Sequence, residues 1–218
     1  MVYFADITPK YDRERIFRRL HVEPDTNAYR YAQSVFPYLE EIAQQQLCMT
    51  HCYSVEEDAP PLGVPEVDRC KYRITCLSTC SEGITKAIAK LLDQGDFLEG
   101  YILNDLVNEM LFNASDQMNR QISAAMAEKD CHLTRRLSPG EQELGLEYQS
   151  VLLSAFRDIP AVSHVRLTES YMLYPEKSML YLFGADPSNP EISVEHDCGK
   201  CPNTSCFFRS TEGPAACL

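Results

Sequence analysis

The sequence has no apolar run that approaches the roughly 20 residues needed to cross a bilayer. It also has no basic start followed by an apolar segment, because a highly charged stretch begins at Lys10. A secretory signal is therefore not predicted. Together these absences predict a cytoplasmic protein with no membrane partner.

Basic residues are scarce. The chain has 20 Lys and Arg against 32 Asp and Glu, which gives a net charge of −12 and a pI of about 4.8. A surface of this sign repels phosphate backbones, so we expect no nucleic-acid partner. The excess acid either keeps the protein in solution or steers it toward a basic protein partner, and charge alone does not separate the two.

The signatures of several enzyme classes are missing as well. The sequence contains no nucleophile elbow, no P-loop and no dinucleotide-binding fingerprint. It also has no internal repeat and no low-complexity tract. The absence of these motifs leaves open whether the chain is itself an enzyme.

What the sequence does contain is enough apolar residue, 44%, for a substantial core. Helical spacing predicts helices over residues 25–46, 81–95, 97–129 and 148–157. Strand-forming runs predict strands at residues 47–55, 70–78, 165–169 and 179–183. Residues 132–140 are predicted to form an irregular loop, and Pro37 is expected to kink or split the first helix. The predicted class is α+β, with helices packed on a mainly antiparallel sheet.

Cysteine is abundant, with ten in the chain. Without a secretory signal, disulfides are disfavoured. The cysteines inside the predicted strands are expected to be small buried hydrophobic residues. The end of the chain differs, because Cys198, Cys201 and Cys206 fall within nine residues that also contain Gly and Pro.

The spacing C-x2-C-x4-C, followed by Cys217, is typical of a metal site. A C-x-x-C turn brings the thiolates of Cys198 and Cys201 to one centre, Cys206 supplies a third, and Cys217 is the candidate fourth. We predict a [4Fe–4S] cluster ahead of zinc, because a zinc ribbon usually has two C-x-x-C knuckles. Zinc in the same site and a redox pair of Cys198 and Cys201 are the alternatives. These residues divide the chain into a domain of residues 1–194 and a cysteine-rich tail of residues 195–218.

Two further segments stand out by their sequence motifs and by their order along the chain. The first is Arg136-Leu-Ser-Pro-Gly140, and the second runs from Thr168-Glu-Ser-Tyr171 to Pro175. A long helix precedes the first segment, and a strand follows the second. This arrangement resembles the reactivation domain of cobalamin-dependent methionine synthase over about residues 80–185.

The resemblance implies a groove for S-adenosylmethionine. Its candidate residues in this chain are Arg136, Ser138, Pro139, Gly140, Glu169 and Tyr171. A guanidinium can bind a ligand carboxylate through two hydrogen bonds, and a Pro-Gly turn lets the backbone approach a ligand closely. The alternatives are structural: a type II turn at Pro139-Gly140, a surface ion pair for Arg136, and a loop fixed by Glu169 and Tyr171. The chain departs from the family pattern at Glu141, where the family has an aromatic residue.

Two functions follow from the resemblance and the tail. The first is reductive activation of a corrinoid-dependent methyltransferase or methionine synthase, from cob(II)alamin to methylcobalamin. In this hypothesis S-adenosylmethionine donates the methyl group, cobalamin sits on the partner, and the tail cluster relays the electron. The second is a non-catalytic docking module for a corrinoid partner, with structural zinc in the tail.

Overall fold

The computed structural model describes residues 1–141, 144–194 and 206–208. A five-stranded antiparallel sheet has the strand order β1-β2-β3-β7-β4. Its strands are β1 (Val2–Phe4), β2 (Met49–Glu57), β3 (Tyr72–Cys80), β4 (His132–Leu133) and β7 (Ser178–Asp186). A separate hairpin pairs β5 (Arg166–Leu167) with β6 (Leu173–Tyr174). The predicted α+β class is confirmed.

Helices pack on both faces of the sheet. They are α1 (Arg13–Arg19), α2 (Asn27–Gln46), α3 (Pro65–Asp68), α4 (Glu82–Gln94), α5 (Phe97–Ala127) and α6 (Tyr148–Leu153). Short 3-10 turns follow α6 at Ser154–Phe156 and Pro160–Val162. Within the described residues, no helix is long and apolar enough to span a membrane.

The long helix α5 connects two parts of the core. Its first half, including Leu103 and Leu106, packs in an apolar cluster with α1, α2 and α4. Its second half, including Met118 and Ile122, packs on the sheet. Because apolar buried residues recur along all 31 residues of the helix, one continuous α5 contacts both parts of the core.

Strand β7 shows how the sheet separates two clusters. Successive side chains of a strand point to opposite faces. Tyr181 and Phe183 therefore pack beneath α5, whereas Leu180 and Leu182 pack on the other face with residues from α6 and the following loops. This strand directs its aromatic residues toward α5 and its aliphatic residues toward α6.

Local signals placed most of the larger elements correctly. The side chain of Thr26 caps α2 by accepting from the N–H of Tyr29, and α4 ends at Gly95 with a φ of +87°. Pro37 lies inside α2 without dividing it, so the helix is not split, and a kink at Pro37 stays a prediction. The helix is held by a buried face that includes Phe36 and Leu39, and this packing outweighs one missing hydrogen bond.

The short elements were missed. Neither β1 nor α1 was predicted, and the expected strand at 165–169 is reduced to the two residues of β5. It pairs with β6, which was also missed, and not with the main sheet. Elements of two to seven residues contain too few turns or alternations for a periodic signal.

Candidate functional site

The segment from His132 to Leu137 extends the sheet edge and is not the irregular loop that was predicted. Leu133 pairs with Ala185 of β7, and Leu137 exchanges two backbone hydrogen bonds with Leu182 at 3.0 and 2.9 Å. The segment advances four residues while β7 advances three, so it contains one extra residue, a β-bulge. A bulge re-aims the side chains beside it, and Arg136 is one of these.

Arg136 lies over the ring of Tyr181. Its guanidinium carbon is 5.2 Å from the ring centroid, within the range of a cation–π interaction. Tyr181 is 1% exposed, and its hydroxyl accepts from Ser115 Oγ at 2.9 Å and donates to Asn119 Oδ1 at 2.8 Å. Burial raises the pKa of this hydroxyl well above its usual range, so the hydroxyl remains a donor. The half-buried Arg136 thus rests on an immobile aromatic platform.

Residues 138–141 form a type II turn. The N–H of Glu141 donates to the carbonyl of Ser138 at 3.0 Å, with Pro139 second and Gly140 third in the turn. Gly140 has a φ of +91°, which a type II turn requires at this position. Its N–H donates to the carbonyl of Leu144 at 2.6 Å. The structural alternative is therefore present, and it leaves Ser138 and Pro139 half-buried and Gly140 exposed.

Glu169 and Tyr171 lie at the tip of the β5–β6 hairpin. The tip is closed by Thr168, whose N–H donates to the carbonyl of Met172 at 2.9 Å and whose Oγ1 accepts from the N–H of Met172 at 3.0 Å. Tyr171 has a φ of +63°, a left-handed conformation that is rare for a residue of this size. Both candidate side chains are exposed, with Tyr171 at 43%.

The two segments meet through β7. The hairpin leads directly into this strand, where Ser178 Oγ donates to the carbonyl of Pro175 at 2.6 Å. Leu173 of the hairpin and Leu137 of the bulged edge pack in one apolar cluster. The turn therefore follows a segment that pairs with β7, and the hairpin precedes β7, which lies between β3 and β4 in the sheet. Arg136 lies on the α5 face of the sheet, over Tyr181.

A buried ionic network between α1 and α5 was not predicted. Arg19 Nε lies 2.9 Å from Asp105 Oδ2, and Arg19 Nη2 lies 2.6 Å from Glu109 Oε2. Arg15 also bonds Glu109, and the two acids are 1% and 3% exposed. Burial raises the pKa of Asp105, and Arg19 opposes that shift. The sequence did contain a signal for this network. Two arginines lie four residues apart in α1, and two acids lie four residues apart in α5, so each pair lies on one face of its helix.

Lys177 binds two further polar residues of α5, in the same part of the helix as Asp105 and Glu109. Its Nζ donates to Asn104 Oδ1 and to Asn108 Oδ1, both at 2.6 Å. Burial lowers the pKa of the ammonium. Because Lys177 immediately precedes β7, the strand is fastened to α5 at its start by Lys177 and further along by Tyr181.

Three residues of the cysteine-rich tail are described, and they lie on the helices. The ring centroid of Phe208 is 5.1 Å from that of Phe112 on α5 and 5.2 Å from the guanidinium carbon of Arg19. Cys206 is a half-buried free thiol.

The other predicted metal ligands, Cys198, Cys201 and Cys217, lie outside the described residues. Within the part of the chain that the structure describes, no three His, Cys, Asp or Glu side chains form a group suited to a metal ion. The metal site and the boundary near residue 195 therefore remain predictions from spacing.

No protein-family model matches the chain, and no curated protein matches its sequence. Among solved structures, it is similar to the crystal structure of the MetH reactivation domain bound to AdoHcy, with a TM-score of 0.61. The similarity covers 89% of this chain and 81% of that chain, at 10% sequence identity. The reactivation-domain fold predicted from the two segments is thus confirmed, and at this identity the likeness establishes the fold alone.

Proposed function

We propose that this protein reactivates a corrinoid-dependent methyltransferase or methionine synthase, using S-adenosylmethionine as the methyl donor. The proposal is supported by the likeness to a reactivation domain whose crystal structure contains AdoHcy. The observation that carries it is Arg136 held over Tyr181 beside the turn at Pro139-Gly140. S-adenosylmethionine would transfer its methyl group to a corrinoid that has gained one electron, and leave as S-adenosylhomocysteine.

The proposed role of Arg136 is to bind the carboxylate of the ligand's amino-acid portion. A guanidinium presents parallel N–H groups that match a carboxylate, and the Tyr181 platform limits its motion. Less side-chain entropy is lost on binding when the guanidinium is already positioned. Tyr181 therefore acts through Arg136 and does not itself contact the ligand.

We assign the hairpin tip to the other parts of the ligand. The exposed Glu169 carboxylate is an acceptor for an amino or ribose hydroxyl group. Tyr171 supplies an exposed ring, which would take the place of the aromatic that the family has in its turn where this chain has Glu141. The strained backbone of Tyr171 supports this role, because left-handed non-glycine residues persist mainly where surrounding structure or function holds them.

Titration calorimetry tests the ligand. We expect S-adenosylhomocysteine and S-adenosylmethionine to bind with measurable heat to the full chain, whereas adenosine, which lacks the amino-acid portion, binds at least tenfold more weakly. No heat with either sulfur ligand would leave docking on a corrinoid partner as the function. That alternative is favoured by one feature, the charged Glu141 in place of an aromatic.

We further propose that Cys198, Cys201, Cys206 and Cys217 bind an iron–sulfur cluster that relays the electron. Four thiolates in this spacing suit a [4Fe–4S] cluster, and zinc is the alternative occupant. Protein prepared without oxygen should contain about four iron and four acid-labile sulfide per chain, as expected for this cluster type. One zinc per chain and no sulfide would support the docking module instead.

A further inference from the structure

Helix α1 is a basic element in an acidic protein. Four of its seven residues are arginines, although the chain carries a net charge of −12. Arg15 and Arg19 bond the buried acids of α5. The outer side of the guanidinium of Arg19 is covered by the ring of Phe208. The tail therefore contacts the chain at its most basic helix.

Among the three described tail residues, Phe208 packs against both α5 and α1. Its ring packs edge-on against Phe112, at an interplanar angle of 70°, and lies over Arg19. The neighbouring Phe207 contacts the ring of Phe208 and is 53% exposed. Adjacent residues of the same type thus have different environments, which makes Phe207 a matched control for Phe208.

The seat of Phe208 and the Arg136 platform are both joined to helix α5. Phe112 and Ser115 are three residues apart on α5, so their Cβ atoms are about 5–6 Å apart. Ser115 Oγ donates to the hydroxyl of Tyr181 at 2.9 Å, and the ring of Tyr181 carries Arg136. One face of α5 therefore contacts both the tail and the support of the candidate ligand site.

We infer that Phe208 is the anchor that docks the cysteine-rich tail on the α1–α5 face. Cys206 is two residues from the anchor, and Cys201 is five residues further back. An extended chain spans at most about 3.3–3.6 Å per residue, so both thiols stay within roughly 25 Å of this seat. The anchoring stands on the contacts alone. Its consequence, a metal centre tethered within that distance of the α1–α5 face, rests on the proposed function.

Limited proteolysis of the full chain tests the anchor. Trypsin cleaves after Lys200 and Arg209, which flank the described tail residues. We expect Phe208→Ala to accelerate both cleavages at least tenfold, and Phe207→Ala to leave their rates within twofold of wild type. Equal rates for wild type and Phe208→Ala, or equal acceleration by both variants, would overturn the inference.

A second variant tests the seat from the helix side. Phe112→Ala should accelerate the same cleavages, and the double variant with Phe208→Ala should be no faster than either single variant, because both remove one contact. Thermal unfolding by circular dichroism verifies that the variants keep the wild-type fold. Titration with S-adenosylhomocysteine is independent of this readout, so a docked tail without ligand binding would refute the proposed function and leave the anchor intact.

Discussion

Arg136 and Tyr181 are joined across the sheet edge, with the guanidinium carbon 5.2 Å from the ring centroid. Tyr181 in turn is bonded to Ser115 and Asn119 of α5. A residue of the bulged edge is therefore fixed to the long helix through one buried ring. This link explains how a short irregular edge can present a charged group in a defined position.

The first prediction concerns ligand affinity. Arg136→Gln removes a charged pair of hydrogen bonds to a carboxylate, each of which contributes about 1.5–3 kcal/mol. We expect the Kd for S-adenosylhomocysteine to rise at least tenfold by calorimetry. The control is Arg157→Gln. Arg157 is an exposed arginine directly after the 3-10 turn Ser154–Phe156, and its substitution should leave Kd unchanged. An unchanged Kd for Arg136→Gln would exclude Arg136 from the site.

The second prediction concerns the left-handed residue of the hairpin. Tyr171 has a φ of +63°, and a non-glycine residue held there costs of order 1 kcal/mol. Asparagine tolerates this conformation better, so Tyr171→Asn should raise the free energy of unfolding by about 0.5–1 kcal/mol. The same variant should weaken ligand binding. Denaturant titration and calorimetry measure the two effects.

The exposed neighbour Met172 provides the control for this change. Met172→Asn introduces the same side chain at a position without a positive φ, and it should not stabilise the protein. If Tyr171→Asn destabilised the fold and left binding intact, the ring would have a structural role only.

The third prediction concerns the ionic network. Arg19→Leu leaves Asp105 and Glu109 buried without their shared partner, and such a loss costs about 3–5 kcal/mol. Adding Asp105→Asn and Glu109→Gln should recover part of this cost, because the buried charges are then removed. Urea unfolding followed by fluorescence or circular dichroism measures both variants.

An exposed ion pair provides the comparison. Lys86 pairs with Glu82 at 3.0 Å on the surface of α4, with the lysine side chain 74% exposed. Lys86→Leu should change the free energy of unfolding by less than about 0.5 kcal/mol. Equal changes in the free energy of unfolding for Arg19→Leu and Lys86→Leu would contradict the claim that the buried network stabilises the fold more than the exposed pair.

The fourth prediction concerns pH. His51 on β2 is 5% exposed, its Nδ1 lies 3.0 Å from Ser78 Oγ, and burial lowers the pKa of its ring to about 4. The unfolded chain takes up a proton near pH 6.5, whereas the folded chain does so only near pH 4. Stability therefore falls as the pH is lowered through this window, by about 3 kcal/mol.

Substitution separates His51 from other titrating groups. His51→Asn keeps a donor or acceptor near Ser78 and should remove this part of the pH dependence between pH 6.5 and 4. His164→Asn, at an exposed position, should follow the wild-type curve. Denaturant midpoints measured across the window give the comparison, and parallel curves for wild type and His51→Asn would refute the assignment.

Parts of the candidate site were predictable and parts were not. The turn at Pro139-Gly140 follows from the conformational limits of those two residues, and the structure has it. The pairing of residues 132–137 with β7 was missed. The paired residues are 45 or more positions apart, and the pattern of neighbouring residues does not predict such a distant pairing. The cation–π contact of Arg136 depends on that path and could not be predicted separately.

The sequence by itself determined the features that local physics governs. These are the start of α2 at its Thr26 cap, the stop of α4 at Gly95, the long amphipathic α5, and the cysteine spacing of the tail. Each depends on a few neighbouring residues whose backbone preferences or periodicity act over one or two turns.

Only the tertiary structure decided which distant residues meet. Arg19 bonds Asp105 and Glu109, Arg136 rests on Tyr181, and Phe208 packs on Phe112. The partners are 45 to 96 residues apart along the chain, so their contact requires whole elements to be packed first. The entropy of closing such long loops is recovered only by the collective burial of the core, and no short stretch of sequence encodes it.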